Sequence, residues 1–429
     1  MTTTENPGER NGAMTSNETT ATTRAAARRR SGAGRHPESA PPRTATTRDV
    51  TLINRTAILD LLRSAGPLSR REIRHRTGLS SATVERLCQA LLEEGALENG
   101  GLDRSSTGRP SNLLKYVADI RTVAAIDVTE NNARGRILDL GGTVLYETYE
   151  SFDFTASNPS TARLDGLLAL VDRIASDETG VSAPLTGIGI ALPGITNDGT
   201  VVNAIELDWR NVPVARIVSE RTGLPVLAEN DANATAYCEL LHGAARHAES
   251  AVALVLGTGI GAGIVSEGRI HRGFGSAAGE VGYLLTSSEA FSRYFTDLGD
   301  VEGTISAQVQ PYLRTDDGHV DRRIGPAFRA MMALVEQGDA EAAKARDEFF
   351  DNIALICAAA TVVLAPSVIV LAGAFAQYSE LSAEQITRRL VGRIPSVPSI
   401  VPSRLGFDAA ITGIGDLAIE RARHTTYLA

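Results

Sequence analysis

Two adjacent polar residues, Asn230 and Asp231, close the apolar run PVLA and open a stretch that reads as a helix. A carboxylate at a strand–helix junction can take a proton or accept a hydrogen bond from a ligand hydroxyl, and the neighbouring amide adds a donor and an acceptor. An aspartate that only caps the helix has the same position, so the pair alone leaves both readings open. Further on, AVALVLGTGIGAGIVSEGRIHRG gives an apolar strand, a glycine turn and a second strand. Gly257, Thr258 and Gly259 would leave backbone N–H groups unobstructed and add one hydroxyl, as a phosphate cradle needs. A tight β-hairpin needs small residues for its own reasons. Two more carboxylates, Glu280 and Glu302, bracket the stretch GEVGYLLTSSEAFSRYFTDLGDVEG, which holds no histidine or cysteine to bind a metal.

The elements that must position these groups start at Thr122, where strand-like and helix-like segments begin to alternate: TVAAIDV, RGRILDL, TVLYETY, an amphipathic stretch near Leu164–Ile174, then LTGIGIALPG. That order predicts a mixed α/β sheet, with a second sheet beginning near Ser250. Residues 353–373, IALICAAATVVLAPSVIVLAG, are apolar over about the ~20 residues that span a bilayer. Pro366 divides them into an alanine-rich helix and a Val/Ile strand, so a core helix feeding a central parallel strand is expected, and no membrane partner.

The 429 residues suffice for two or three domains, and 43% are apolar. A formal net charge of -9 excludes general attraction to nucleic acid, leaving that role to a locally basic segment. Residues 1–48 are poor in large apolar side chains and carry Arg28, Arg29 and Arg30, which reads as a disordered basic tail. Cys88, Cys238 and Cys357 are too scattered for a disulfide framework or a metal cluster, and the opening residues lack a secretory pattern; a cytoplasmic protein is expected.

Residues 49–116 read as a winged helix-turn-helix. Ser69 can cap a short helix carrying Ile73, Gly78 can make the turn and Ser80 can cap a second helix. Val84, Leu87, Cys88 and Leu91 share one face of that helix, so Ser81, Thr83, Glu85 and Arg86 are left to meet base edges in the major groove. GALENGGLDRSSTGRPSNLLKY supplies two extended runs around a turn, a wing whose Arg109 can lie along the minor groove or a phosphate; a plain linker explains that tripeptide equally.

The helix-turn-helix, LPG at 192–194, END at 229–231, GTGIGAG at 257–263 and AGEVG at 278–282 together resemble the ROK family of repressors and sugar kinases, over nearly the whole chain from about residue 52. The resemblance implies two ribonuclease-H-like lobes of the actin/hexokinase type over residues 117–429, the second at about 236–405, with a monosaccharide between them. Position by position it makes Asp231 the match to the family's catalytic base and Asn230, Glu280 and Glu302 matches to sugar-contacting residues. Gly257, Thr258 and Gly259 match the second phosphate loop. Tyr283, at the position of a family histidine, can still donate to a hydroxyl.

Two departures follow. The family's first phosphate loop, DxGGT, is matched by Asp127-Val128-Thr129-Glu130-Asn131, and Glu130 sets a negative charge where phosphates should sit. The family's zinc site, GExGH with CxCGxxGCxE, is matched by Tyr283, Arg293, Phe295 and Asp300, so zinc is expected to be lost and no cofactor remains; composition suggests that packing of Tyr294 and Phe295 holds the loop instead. The expected function is a DNA-binding regulator of carbohydrate genes, a repressor working as a homodimer or homotetramer on a double-stranded operator. A sugar or sugar phosphate bound in the cleft would control it, with no catalytic residue in use and Asp231 a vestigial base. An ATP-dependent sugar kinase, or a regulator whose C-terminal region is a dimerisation scaffold, are the alternatives.

Overall fold

The computed structural model describes residues 47–103, 111–153, 158–295, 298–313 and 323–426. The tail through residue 46, with Arg28, Arg29 and Arg30, and Arg109 of the expected wing lie outside the described residues. Thr51–Ala429 form one unit.

The N-terminal head consists of α1 (Thr47–Ala65), β1 (Leu68–Ser69), α2 (Arg70–Thr77), α3 (Ser81–Glu93), β2 (Leu97–Asp103) and β3 (Ser111–Tyr116). Ser69 and Glu72 form a reciprocal capping box at the start of α2: the Glu72 amide donates to Ser69 Oγ at 3.3 Å and the Ser69 amide to Glu72 Oε2 at 2.9 Å. Gly78 ends α2 in the left-handed region at φ 70°, which a residue with a β-carbon adopts only under strain. Ser80 then caps α3, accepting from the Thr83 amide at 3.1 Å. Ile58, Leu62, Ile73, Val84, Leu87, Leu91 and Leu114 close one core beneath the three helices and the β2–β3 hairpin.

The first lobe follows with β4 (Thr122–Val128), β5 (Asn132–Asp139), β6 (Val144–Ser151), α4 (Pro159–Ala175), β7 (Leu185–Leu192), a small antiparallel sheet of β8 (Ile195–Asn197), β9 (Thr200–Ala204) and β10 (Trp209–Val212), α5 (Val214–Thr222) and β11 (Val226–Asn230). Its main sheet runs β11-β7-β4-β5-β6, with β4–β5–β6 antiparallel and β4–β7–β11 parallel. After α6 (Asp231–Leu241) the second lobe contains β12 (Ser250–Leu256), β13 (Ile260–Ser266), β14 (Arg269–Ile270), α7 (Asp300–Val309), α8 (Ile324–Glu336), α9 (Ala340–Leu364), β15 (Val368–Gly373), α10 (Ser379–Leu390) and β16 (Ser399–Pro402). Its sheet order, β14-β13-β12-β15-β16, repeats the plan of the first, as two ribonuclease-H-like lobes require. The last helix, α11 (Ala409–Thr426), returns to the first lobe.

Alternation along β4 explains why both of its faces must be covered. Ala124, Ile126 and Val128 meet Leu167, Leu170 and Ile174 of α4, whereas Val123 and Ala125 meet Ile411 and Ile414 of α11. In the second sheet the bulky Val252, Leu254 and Leu256 face α8 and α9, and the small Ala251 and Ala253 face the side of α6. A β-carbon at Gly263 would run into the Ala232 carbonyl, so glycine there lets α6 lie directly on β13. The 353–373 segment divides as its proline demands: α9 stops at Ala365, in the left-handed region, and β15 begins at Val368. Among the described residues no helix is long and apolar enough to cross a membrane.

Candidate functional site

Seven separate stretches of the chain converge on one cavity of about 190 Å³. The end of β7 gives Pro193 and Gly194, the β11–α6 junction Asn230 and Asp231, and the β12–β13 turn Gly257, Thr258 and Gly259. Beyond these lie Glu280, Gly282 and Tyr283, then Glu302 from the first turn of α7. Thr129 and Glu130, after β4, complete the wall.

Asn230, not Asp231, is the helix cap. Its Oδ1 accepts from the Asn233 amide at 3.0 Å, and its Nδ2 donates to the Gly194 carbonyl at 3.0 Å. The capping alternative for Asp231 is thereby removed; that carboxylate takes the Ala232 amide at 2.8 Å and faces the cavity. Glu302 Oε1 accepts from the Ile260 amide at 3.0 Å, tying α7 to the glycine turn. The turn itself is less open than its glycines suggest. The Gly257 amide donates to the Gly259 carbonyl at 3.0 Å, and the Gly257 and Thr258 carbonyls accept the Gly325 and Ile324 amides of α8, each at 2.8 Å.

Two lining residues escape a reading of motifs: Asn203 and Glu206, carried to the cavity by the small β8–β9–β10 sheet. The only signal for them was a carboxylate in the short hairpin segment NAIELDW. Asp127, next to the lining residue Val128 at the end of β4, feels the charge of Asp231. Burial, the largest cause, pushes Asp127 up to about 7, with Asp231 adding to it. Glu206 is pushed up to about 7 by burial and then by the charges of Asp231, Glu302 and Glu130, against a backbone hydrogen bond. Glu280 also reaches about 7, from burial and then Glu206 and Asp231. Burial raises Asp231 and Glu302 too, opposed by the Ala232 and Ile260 amides respectively. Among the described residues that line the cavity there is no Lys, Arg or His. Such a surface suits a ligand that presents many hydroxyl donors and repels phosphate.

The residues aligned with the zinc ligands do not fit that metal. Arg293 offers no lone pair, Phe295 offers a hydrocarbon ring, and Asp300 already accepts hydrogen bonds from Thr286 and Arg293. Nor does aromatic packing hold the loop, contrary to expectation. Tyr294 is fully exposed and the half-buried Phe295 lies beside Arg293, whose guanidinium is 5.6 Å from the ring centroid; the buried contact is polar and centred on Asp300.

On the head, Ser81, Ala82, Glu85, Arg86 and Gln89 form the exposed face of α3. Thr83 differs from expectation: it is half-buried, and its hydroxyl lies 2.8 Å from Ser80 Oγ within the cap. Glu85 pairs with Arg70 at 3.2 Å. The exposed Arg71, Arg74 and Arg76 on α2 were not singled out from sequence, although the run RREIRHR carried the signal. Basic residues on the first helix of such a pair suit DNA phosphates, as α3 suits base edges.

Residues 123–421 match the ROK family model, and residues 52–107 match the IclR helix-turn-helix domain. The chain belongs to the ROK family. It is similar to the xylose repressor of Bacillus subtilis (strain 168), 29% identical over 236 residues that cover 55% of this chain and 61% of that protein. The xylose repressor of Caldicellulosiruptor bescii is 31% identical over 233 residues, 54% and 58% of the two chains. These alignments thus span less than two thirds of either repressor. The glucokinase of Thermotoga maritima is 28% identical over 308 residues, 66% of this chain and 96% of the enzyme. A solved structure described as a ROK family transcriptional regulator, homolog of the E. coli MLC protein, has a TM-score of 0.70 over 88% of this chain and 98% of that one; at 21% identity the likeness is one of fold.

Proposed function

We propose that this ROK protein is a transcriptional repressor of carbohydrate genes that senses a sugar. The observation that carries the reading is the cavity lined by Glu130, Glu206, Asp231, Glu280 and Glu302 and by no basic residue among those described, in one chain with the helix-turn-helix head. Its carboxylates accept hydrogen bonds from sugar hydroxyls, with Asn230 and Tyr283 adding donors. A ligand touching both lobes favours their closed arrangement by its differential affinity for it. The relatives named as xylose repressors make D-xylose the first effector to try.

The route from cavity to DNA runs through two helices. Asp231 opens α6, and farther along that helix Tyr237 donates to Glu420 of α11 at 2.7 Å. Just past its end, His242 meets Asp416 of α11 at 2.8 Å. Tyr116, the last residue of β3, packs against both the head core and the α11 core. Two copies acting as a dimer place two recognition helices on an operator, since a single short helix reads few bases. The protein acts in the cytoplasm, where its operator lies, and needs no metal.

Purified protein titrated onto the DNA upstream of its own gene, at fixed moderate salt with and without D-xylose and D-glucose, tests the proposal. Saturable binding that either sugar weakens supports it; no sequence preference over random DNA counts against it. Asp231 beside the glycine turn favours a second reading, ATP-dependent sugar phosphorylation, in which that carboxylate takes the proton of the attacking hydroxyl. Glu130 opposes it by repelling the nucleotide phosphates. Turnover in a coupled ATPase assay that Asp231→Asn abolishes would establish the second reading.

A further inference from the structure

Asp300 is the first residue of α7, and its side chain is only 1% exposed. Its two oxygens collect three hydrogen bonds from one loop. Oδ2 accepts from the Thr286 amide and the Thr286 hydroxyl, both at 2.7 Å, and Oδ1 accepts from Arg293 Nη2 at 2.8 Å. Thr286 and Arg293 stand at the two ends of the turn formed by residues 287–292, so one carboxylate fastens both ends of that turn to α7. The attachment continues inward. The Val301 amide donates to the Leu284 carbonyl at 3.1 Å, and a β-carbon at Gly299 would run into the Gly282 carbonyl, so the start of α7 lies against the Gly282–Tyr283 backbone. One helix position beyond Val301, Glu302 enters the cavity and takes the Ile260 amide. The Thr286 amide and Arg293 hold the Asp300 carboxyl below the usual range, so it stays ionised where Glu206 and Glu280 titrate.

We infer that the Thr286–Asp300–Arg293 clasp does the work of the absent zinc clamp: it holds Tyr283, Glu280 and Glu302 in place on the cavity wall without metal, which makes Asp300 and Arg293 positioning residues for the effector. The inference rests on reading the cavity as a sugar site, but the loop can be examined without any sugar. Two hydrogen-bonded groups on one buried carboxylate anchor the loop, and charge-assisted bonds of this kind are among the stronger ones in proteins.

The test is hydrogen–deuterium exchange of residues 284–295 in the full-length protein, combined with thermal shift by millimolar D-xylose and D-glucose. In wild type the Thr286 amide should be protected, and treatment with EDTA should change nothing. Asp300→Ala should speed exchange of that amide by about tenfold or more, as loss of one such bond implies, and should reduce the sugar-induced thermal shift. Arg293→Ala removes the partly exposed arm and guards against failure of the Asp300 variant to fold; it should loosen the loop less, and Arg293→Lys should restore most of both readouts. Equal exchange in wild type and Asp300→Ala, or a stoichiometric zinc whose removal loosens the wild-type loop, would overturn the clasp. A wild type that responds to no sugar yet shows the exchange pattern keeps the clasp and refutes the sugar reading instead.

Discussion

Glu206→Gln should stabilise the sugar-free protein, and more so at high pH. The substitution keeps size and hydrogen-bonding shape and removes one carboxylate from a crowded, buried cluster. Burial and the neighbouring charges carry Glu206 to about 7 from an ordinary 4.5. A carboxyl raised in the folded state binds its proton more tightly there than in the unfolded chain. Its contribution is therefore fully present below about 4.5, is lost progressively as pH rises to about 7, and is constant above that. At roughly 1.4 kcal/mol per pH unit the ceiling is roughly 3 kcal/mol. Glu280 and Asp231 share the cavity and relax when one charge is removed, so an observed gain of about 1–3 kcal/mol is expected at pH 8. Thermal melting of wild type and variant across pH 4.5–8, at constant ionic strength, reads it directly. The difference between the two melting temperatures should widen up to about pH 7 and then stay level. Parallel curves, with one constant offset at every pH, would refute the account of the cavity as an uncompensated carboxylate cluster.

Arg86→Ala on the exposed face of α3 should weaken operator binding by about 1–3 kcal/mol and relax preference at one base position, measured by competition with single-base operator variants. Arg74→Ala on α2 should weaken binding to all sequences alike and reduce its salt dependence. Val362 and Val363 are 64% and 79% exposed near the end of α9, where Leu355 is also exposed; Val362→Asp with Val363→Asp should shift sedimentation toward a monomer if that stripe joins two copies. Tyr237→Phe with His242→Ala cuts two polar links from α6 and its C-cap to α11. It should leave sugar-free operator binding near its wild-type value while reducing the effect of sugar on it, as read in a titration of both ligands.

Much of this arrangement was written in local chemistry. Ser69, Gly78 and Ser80 announce the head because caps and a left-handed turn depend on adjacent residues, and Asn230-Asp231 announces a strand–helix junction for the same reason. The sequence marks Glu280 and Glu302 as a pair, but only the close approach of the Gly282 and Gly299 backbones brings both to one wall. Glu206 could not be read locally, since its position depends on how a three-strand hairpin sheet folds over the cavity. The Asp300 clasp was hidden for a related reason. Composition pointed to two aromatic residues as the anchor, yet whether a ring is buried depends on what the rest of the chain places against it, and here nothing among the described residues covers Tyr294.

The return of α11 to the first lobe bears on the order in which the molecule assembles. Strand β4 emerges from the ribosome early, just after the DNA-binding head, but Val123 and Ala125 find their covering residues Ile411 and Ile414 only once the whole second lobe has been made. Until then one side of the central strand is bare, and the nascent chain carries a finished head on an unfinished sheet. Such long-separated pairing makes folding slow and leaves the intermediate prone to association, so premature termination before Ala409 should yield aggregated protein and not a smaller working regulator.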